Sequence, residues 1–145
     1  TEKYIIEYCN NIIVKNKIKS IMNASDLVEN WLKDQGFRCE RDGDGDVRFR
    51  YQGVGMFCCK DNEDRFLRII MPSIYDVDGD REKVLEAINT ISRDIKAIKA
   101  FLVEDSLWLS IEMYIDSTPD IEDFIERCLD IMIAGRNRIA KEILG

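Results

Sequence analysis

The sequence predicts an α+β fold: an antiparallel β-sheet, made of a meander plus a C-terminal hairpin, packed against helices. Three observations predict it. The apolar period changes from helical to two after Gly36. Four period-two stretches then follow one another through links too short for parallel crossovers. A second helical stretch separates this meander from another strand pair and a last helix. The expected order is α-(α)-β-β-β-β-α-β-β-α. With 145 residues, 46% of them hydrophobic, the chain suits one domain, and a chain of this size buries about 68–70% of its unfolded surface.

The elements follow from spacing. Tyr4 to Met22 places Ile5, Cys9 and Ile12 on one stripe and Val14, Ile18, Ile21 and Met22 on another, so residues 1–22 are read as a helical extension of the domain over 23–145. The next helix has Ser25 as its expected cap, Leu27, Val28, Trp31 and Leu32 as its apolar face, and Gly36 as its left-handed stop. Phe37 and Cys39 then alternate with Arg38 and Glu40. Asp42-Gly43-Asp44-Gly45 and Gln52-Gly53 are turn signals on either side of Val47, Phe49 and Tyr51. Val54–Lys60 and Arg65–Pro72 complete the meander, and Pro72 is expected to stop the sheet.

From Asp80 to Ile98 the period is helical, and Val84, Ile88, Ile91 and Ile95 are expected to be buried. Phe101 opens a strand, Glu104-Asp105-Ser106 turns it, and Leu107 to Ile115 alternate apolar with polar or aromatic residues. Thr118-Pro119 has the form of a helix start, hydroxyl cap followed by proline, with a bend expected near Gly135.

Composition excludes several chemistries. The chain has no histidine, so neither a Ser-His-Asp or Cys-His centre nor a His-ligated metal can be built from it. The five cysteines, Cys9, Cys39, Cys58, Cys59 and Cys128, contain no CxxC pair. They read as small buried apolar residues of a protein in a reducing compartment, the cytoplasm. Net charge is −7, which disfavours nucleic acid and anionic membrane surfaces. No stretch approaches the roughly 18 apolar residues of a membrane span.

Asp42, Asp44 and Asp46 have the spacing of a calcium loop, but Val47 and Gly53 stand where the loop needs glycine and a bidentate acid, so a hairpin turn is the reading. Asp76, Asp78 and Asp80 fail similarly, at Arg81 and Ala87. Gly53-Val54-Gly55 opens a strand rather than a helix and is not a phosphate loop. A carboxylate-based hydrolase needs an acid of raised pKa in a cleft, and the acids here fall in turns, caps and outward positions, with Asp94 and Glu112 the least obviously placed. The expectation is no catalytic residue, no cofactor and no metal.

One surface is less ordinary. With odd-numbered strand positions facing the core, Arg38, Arg48, Arg50 and Arg68 share the opposite face, and Trp108 and Tyr114 stand outward on the hairpin. Pairing with Glu40 and Glu112 would make these arginines structural. The functional reading assigns Trp108, Tyr114, Arg48 and Arg50 to partner binding, because such side chains dominate interfaces.

The residues Leu32-Lys33-Asp34-Gln35-Gly36-Phe37, the Asp42–Gly45 turn, Phe66-Leu67-Arg68-Ile69, Ile98-Lys99-Ala100-Phe101 and Asp105-Ser106-Leu107 resemble the YbjN-like domain family. The resemblance runs from the Trp31 helix to the C-terminus. It implies a fold like that of bacterial type III secretion chaperones, which bind polypeptides and often dimerise, and a regulatory or sensory role without catalytic residues. The expected function is a non-catalytic protein-binding or regulatory module, with a protein partner or a second copy in a homodimer. The alternative is an anionic ligand or single-stranded nucleic acid on the arginine-bearing sheet face.

Overall fold

The computed structural model describes residue 6, residues 22–116 and residues 119–145. The expected N-terminal helix lies outside these residues, apart from residue 6 and Met22. Helix α1 spans Ala24–Asp34. Its cap is Asn23 rather than Ser25: the Asn23 side chain accepts from Ser25 N while Asp26 accepts from Asn23 N, a reciprocal capping box that satisfies otherwise unpaired amides. Gly36 (φ +82°) ends the helix, with Phe37 N donating to Leu32 O and Gly36 N to Lys33 O.

Six antiparallel strands follow: β1 Cys39–Arg41, β2 Val47–Tyr51, β3 Val54–Cys58, β4 Phe66–Asp76, β5 Ile98–Val103 and β6 Ser106–Tyr114. Helix α2, Arg81–Asp94, separates β4 from β5, and α3, Ile125–Leu144, closes the chain. The sheet order is β1-β2-β3-β4-β6-β5. The C-terminal hairpin therefore docks through β6 against β4, making one sheet of both halves.

Alternation sorts the side chains. Across five strands Val47, Cys58, Ile69, Ile111 and Ile98 form one inner row. The three helices pack their apolar stripes on this side, with Leu32, Ile91 and Met132 fully buried. Such burial stabilises by about 1.5–3 kcal/mol per large apolar side chain. No helix among the described residues is long and apolar enough to cross a membrane.

Several boundaries differ from the sequence reading. Strand β4 does not end at Pro72 but runs to Asp76 through a bulge, because β6 still pairs with it on the other side. Helix α2 stops at Asp94, and Ile95 is already extended. Ala97 takes a left-handed conformation (φ +65°), so Ile98 belongs to β5. Val84 and Ile91 are buried, whereas Ile88 and Ile95, at the edge of the stripe, are half-buried against the core. The last helix does not start at Thr118-Pro119: Thr118 lies outside the described residues, and a 3₁₀ turn at Ile121–Asp123 precedes α3. Helix α3 continues through Gly135. A Cβ there would come within 2.6 Å of Ile98 Cδ1, so the glycine lets an unbroken helix sit close on the sheet.

Candidate functional site

The site is a notch in the sheet. Tyr51 and Val54 close a two-residue turn at Gln52-Gly53, both with positive φ, as the twist of a hairpin requires. Pairs in an antiparallel ladder alternate between bonded and non-bonded. Val54, Met56 and Cys58 therefore direct their backbone groups at β2, while Gly55 and Phe57 direct theirs toward β4. Phe57 meets Ile70, and Cys59 N donates to Arg68 O. The same register would set Gly55 opposite Pro72, which has no N–H to donate.

The β3–β4 ladder stops there. Between Met71↔Leu109 and Tyr75↔Leu107, Pro72, Ser73 and Ile74 stand opposite Trp108 alone, and Ser73 takes φ +52°. This bulge turns the edge of β4 away from β3. The hairpin tip is tied elsewhere: Tyr51 Oη donates to Asp130 Oδ1 of α3 at 2.7 Å. The second inner row is thus interrupted, with Phe49 and Met56 on one side and Met71, Leu109 and Ala100 on the other.

The gap is a groove of about 1100 Å³. Its apolar lining includes Phe37, Phe49, Met56, Phe57, Met71 and Ile74. Its charged lining is Lys33, Arg38, Arg48, Arg50 and Arg136 against the single acid Glu40. On a chain of net charge −7, this is a local reversal of sign. Arg48 donates to Asp42 at 2.8 Å and lies 5.7 Å from the Phe57 ring centroid. Lys33 pairs with Glu29 at 2.8 Å. Arg50 donates to Gly53 O, and Arg38 and Arg136 have no carboxylate partner among the described residues.

Two of the four residues assigned to partner binding, Arg48 and Arg50, therefore line the groove. Trp108 stands beside it on the outer face, its ring centroid 6.4 Å from those of both Phe57 and Phe101. Its Nε1 is buried without a hydrogen-bond partner, as are Ser106 Oγ and Ser110 Oγ on the same face of β6. Tyr114 is elsewhere, 70% exposed at the far end of β6, packed on Phe66 and donating to Glu63 at 3.4 Å. Arg48 lies opposite Glu40 and Arg68 opposite Glu112 in the ladder, but the ion pairs are made elsewhere, Arg48 with Asp42 and Glu112 with Lys99. Sequence reasoning missed the apolar floor and Arg136. Pro72 was the available signal, once its register against Gly55 was known.

Burial pushes the thiols of Cys39, Cys58, Cys59 and Cys128 up, which leaves them protonated and poorly nucleophilic. The hydrogen bond from Lys33 holds Glu29 below its usual range. Burial opposes the same shift at Asp42, where Arg48 and the amides of Asp46 and Asp44 outweigh it. Asp94 is lowered by Arg93. These carboxylates are moved away from general-acid duty. In the Asp42–Gly45 turn, Asp42 Oδ1 accepts from Asp44 N and Asp46 N, so its oxygens are engaged within the hairpin.

Comparison with known proteins is consistent with this geometry. Residues 23–143 match the family described as T3SS (YopN, CesT) and YbjN peptide-binding chaperone 1. No curated protein matches the chain by sequence. Among solved structures, the chain is similar to YbjN from E. coli, with a TM-score of 0.57 and 17% identity over 80% of this chain and 88% of that one. It is also similar to an uncharacterized protein from Methanothermobacter thermautotrophicus, with a TM-score of 0.50 and 12% identity over 82% and 98% of the two chains. At these identities the structures speak for the fold alone.

Proposed function

This chain belongs to the TY-Chap1 family of T3SS and YbjN peptide-binding chaperones, and from that premise we propose that it is a non-catalytic module that takes an extended peptide segment into the notch between β3 and β4. The observation that carries the reading is the interrupted ladder. Gly55 points its backbone groups into a gap where the β3–β4 pairing has stopped, and the other wall, Pro72, has no N–H to donate to the Gly55 carbonyl. A peptide entering in strand conformation would supply the missing partner, as in other cases of strand addition. The apolar floor would take its side chains. The raised thiol pKa values and lowered carboxylates support a binding role without catalysis. The free thiols of Cys39, Cys58, Cys59 and Cys128 support a reducing compartment such as the cytoplasm.

The test is an immobilised array of overlapping peptides from unrelated proteins, probed with this protein and with its Gly55→Trp variant. A Cβ at Gly55 meets no atom within 4 Å and stands on the outer face beside Arg50, so an indole there covers the mouth of the notch from outside the core. Circular dichroism and the urea midpoint establish that the variant is folded. A subset of peptides should bind the native protein and be lost with the variant. Binding to no peptide, or undiminished binding by the folded variant, refutes the notch as the site.

A further inference from the structure

We infer, resting on that reading of the groove, that the segment it takes alternates apolar with acidic residues. The argument comes from the two sides of the notch. A strand lying in the plane of the sheet sends successive side chains to opposite faces. On the helix side it would meet Phe49, Met56 and Met71, which belong to the inner face. On the outer side it would meet Arg48 and Arg50, which alternate with Val47, Phe49 and Tyr51 along β2.

Apolar residues therefore fit one set of alternate positions and carboxylates the other. A ligand acidic at every position would lay charges against the apolar floor, where desolvation is costly. A ligand apolar at every position would leave the arginines unanswered. Of the outer-face cations, Arg38 and Arg50 have no carboxylate partner among the described residues; Arg136 belongs to α3, on the helix side. Arg38 and Arg50 can therefore accept a ligand carboxylate without breaking an existing ion pair. The groove's single acid, Glu40, does not neutralise them. On a chain of net charge −7, a cationic rim draws an acidic peptide against the overall charge, which favours specificity over indiscriminate adhesion.

The experiment uses fluorescence anisotropy with a short fluorescein-labelled peptide of alternating valine and glutamate. Its controls are a twin with glutamine for glutamate and a peptide of the same composition with valines and glutamates in pairs. The glutamate peptide should bind on the order of tenfold more tightly than the glutamine twin at low salt, as two or three exposed ion pairs worth a few-fold each would give. The preference should shrink as salt screens the rim. Pairing the residues should weaken binding, because both faces are then mismatched. The double variant Arg38→Gln/Arg50→Gln leaves no carboxylate orphaned in the fold, and it should lower only the affinity for the glutamate peptide, toward that of the glutamine twin. Equal affinities for the two peptides overturn this inference and leave the groove reading standing. Failure of both to bind, while array peptides do bind through the notch, also overturns it; failure of every peptide removes the groove reading as well. Displacement of the glutamate peptide by a lower concentration of an oligothymidylate assigns the arginines to nucleic acid and overturns the acidic-peptide claim.

Discussion

Replacing Gly135 by alanine should destabilise the protein, although alanine is the better helix former. On an exposed helix the change would gain about 1 kcal/mol. Here the new methyl would stand 2.6 Å from Ile98 Cδ1 and 3.3 Å from Leu109 Cδ1. Both side chains belong to the inner sheet face and are buried, so neither can swing into solvent. Overpacking of this kind costs about 1–3 kcal/mol, and the net expectation is a loss of about 0–2 kcal/mol. The decisive measurement is a double-mutant cycle with Ile98→Val, which deletes the clashing Cδ1. Alone, Ile98→Val should cost about 0.5–1.5 kcal/mol by leaving a small void. Together, the alanine methyl fills that void. The double variant should then be no less stable than Ile98→Val, with a favourable coupling of about 1 kcal/mol, within the range seen for residues in contact. Urea titration followed by the fluorescence of Trp31 and Trp108 gives each stability, provided the slope is unchanged. A stabilisation of about 1 kcal/mol by Gly135→Ala alone, or strict additivity in the cycle, would show that α3 does not sit this close to the sheet.

Ile91→Ala removes a fully buried side chain from the α2 stripe and should cost about 2–5 kcal/mol; a urea-derived loss below about half a kcal/mol would remove that stripe from the core. Arg41→Met deletes a cation that contacts Asp26 at 2.6 Å, Glu29 at 2.7 Å and Gly45 O at 2.7 Å, joining α1 to the Asp42–Gly45 turn, and should cost about 1–3 kcal/mol. The pKa of Glu29 is lowered in the fold from its ordinary 4.5, by Lys33 first and Arg41 next. Its contribution is therefore present above that value and lost as pH falls through the folded one, so Arg41→Met should flatten part of the acid limb of stability against pH; an unchanged limb would contradict this. The thiols titrate in the opposite sense: their raised pKa favours the fold below their ordinary 9.0, and that contribution fades as pH rises beyond it. At pH 8 a thiol reagent should leave Cys58, Cys59 and Cys128 unmodified until the protein unfolds, and prompt labelling mapped to any of these by mass spectrometry would refute their burial.

The strands and helices were legible because their signals are local. The alternation Val47, Phe49, Tyr51 against Arg48 and Arg50 is a period-two pattern, and the Leu107–Ile111 stretch repeats it. Boundaries were less legible because neighbours decide them. Ile98 has the helical spacing of Ile91 and Ile95, yet its place in the row with Ile111 draws it into β5. Pro72 reads as a strand terminator on one side, and on that side it is one. A strand has two edges, however, and the pairing of β4 with β6 carries the chain four residues further, to Asp76. The partnership of β4 with β6 joins residues some forty positions apart, with no local mark in the sequence.

The groove depends on that long-range fact, which explains why its arginines were legible and its floor was not. Placing Arg48 and Arg50 on one face needs only the alternation of β2. Recognising a gap beneath them needs the register of β3 against β4, which sets Gly55 opposite Pro72, and the docking of β6, which holds β4 in place where β3 has let it go. In an isolated meander, the loss of one ladder bond at a proline would fray the edge. Here β6 supports one wall from behind, and the Tyr51–Asp130 hydrogen bond holds the hairpin that forms the other. Each wall is fixed by a contact on the side away from the gap. The two strands can then stay apart with Phe49, Met56 and Met71 lining the gap, and under the proposed function an incoming strand would spend little of its binding energy on reshaping the sheet.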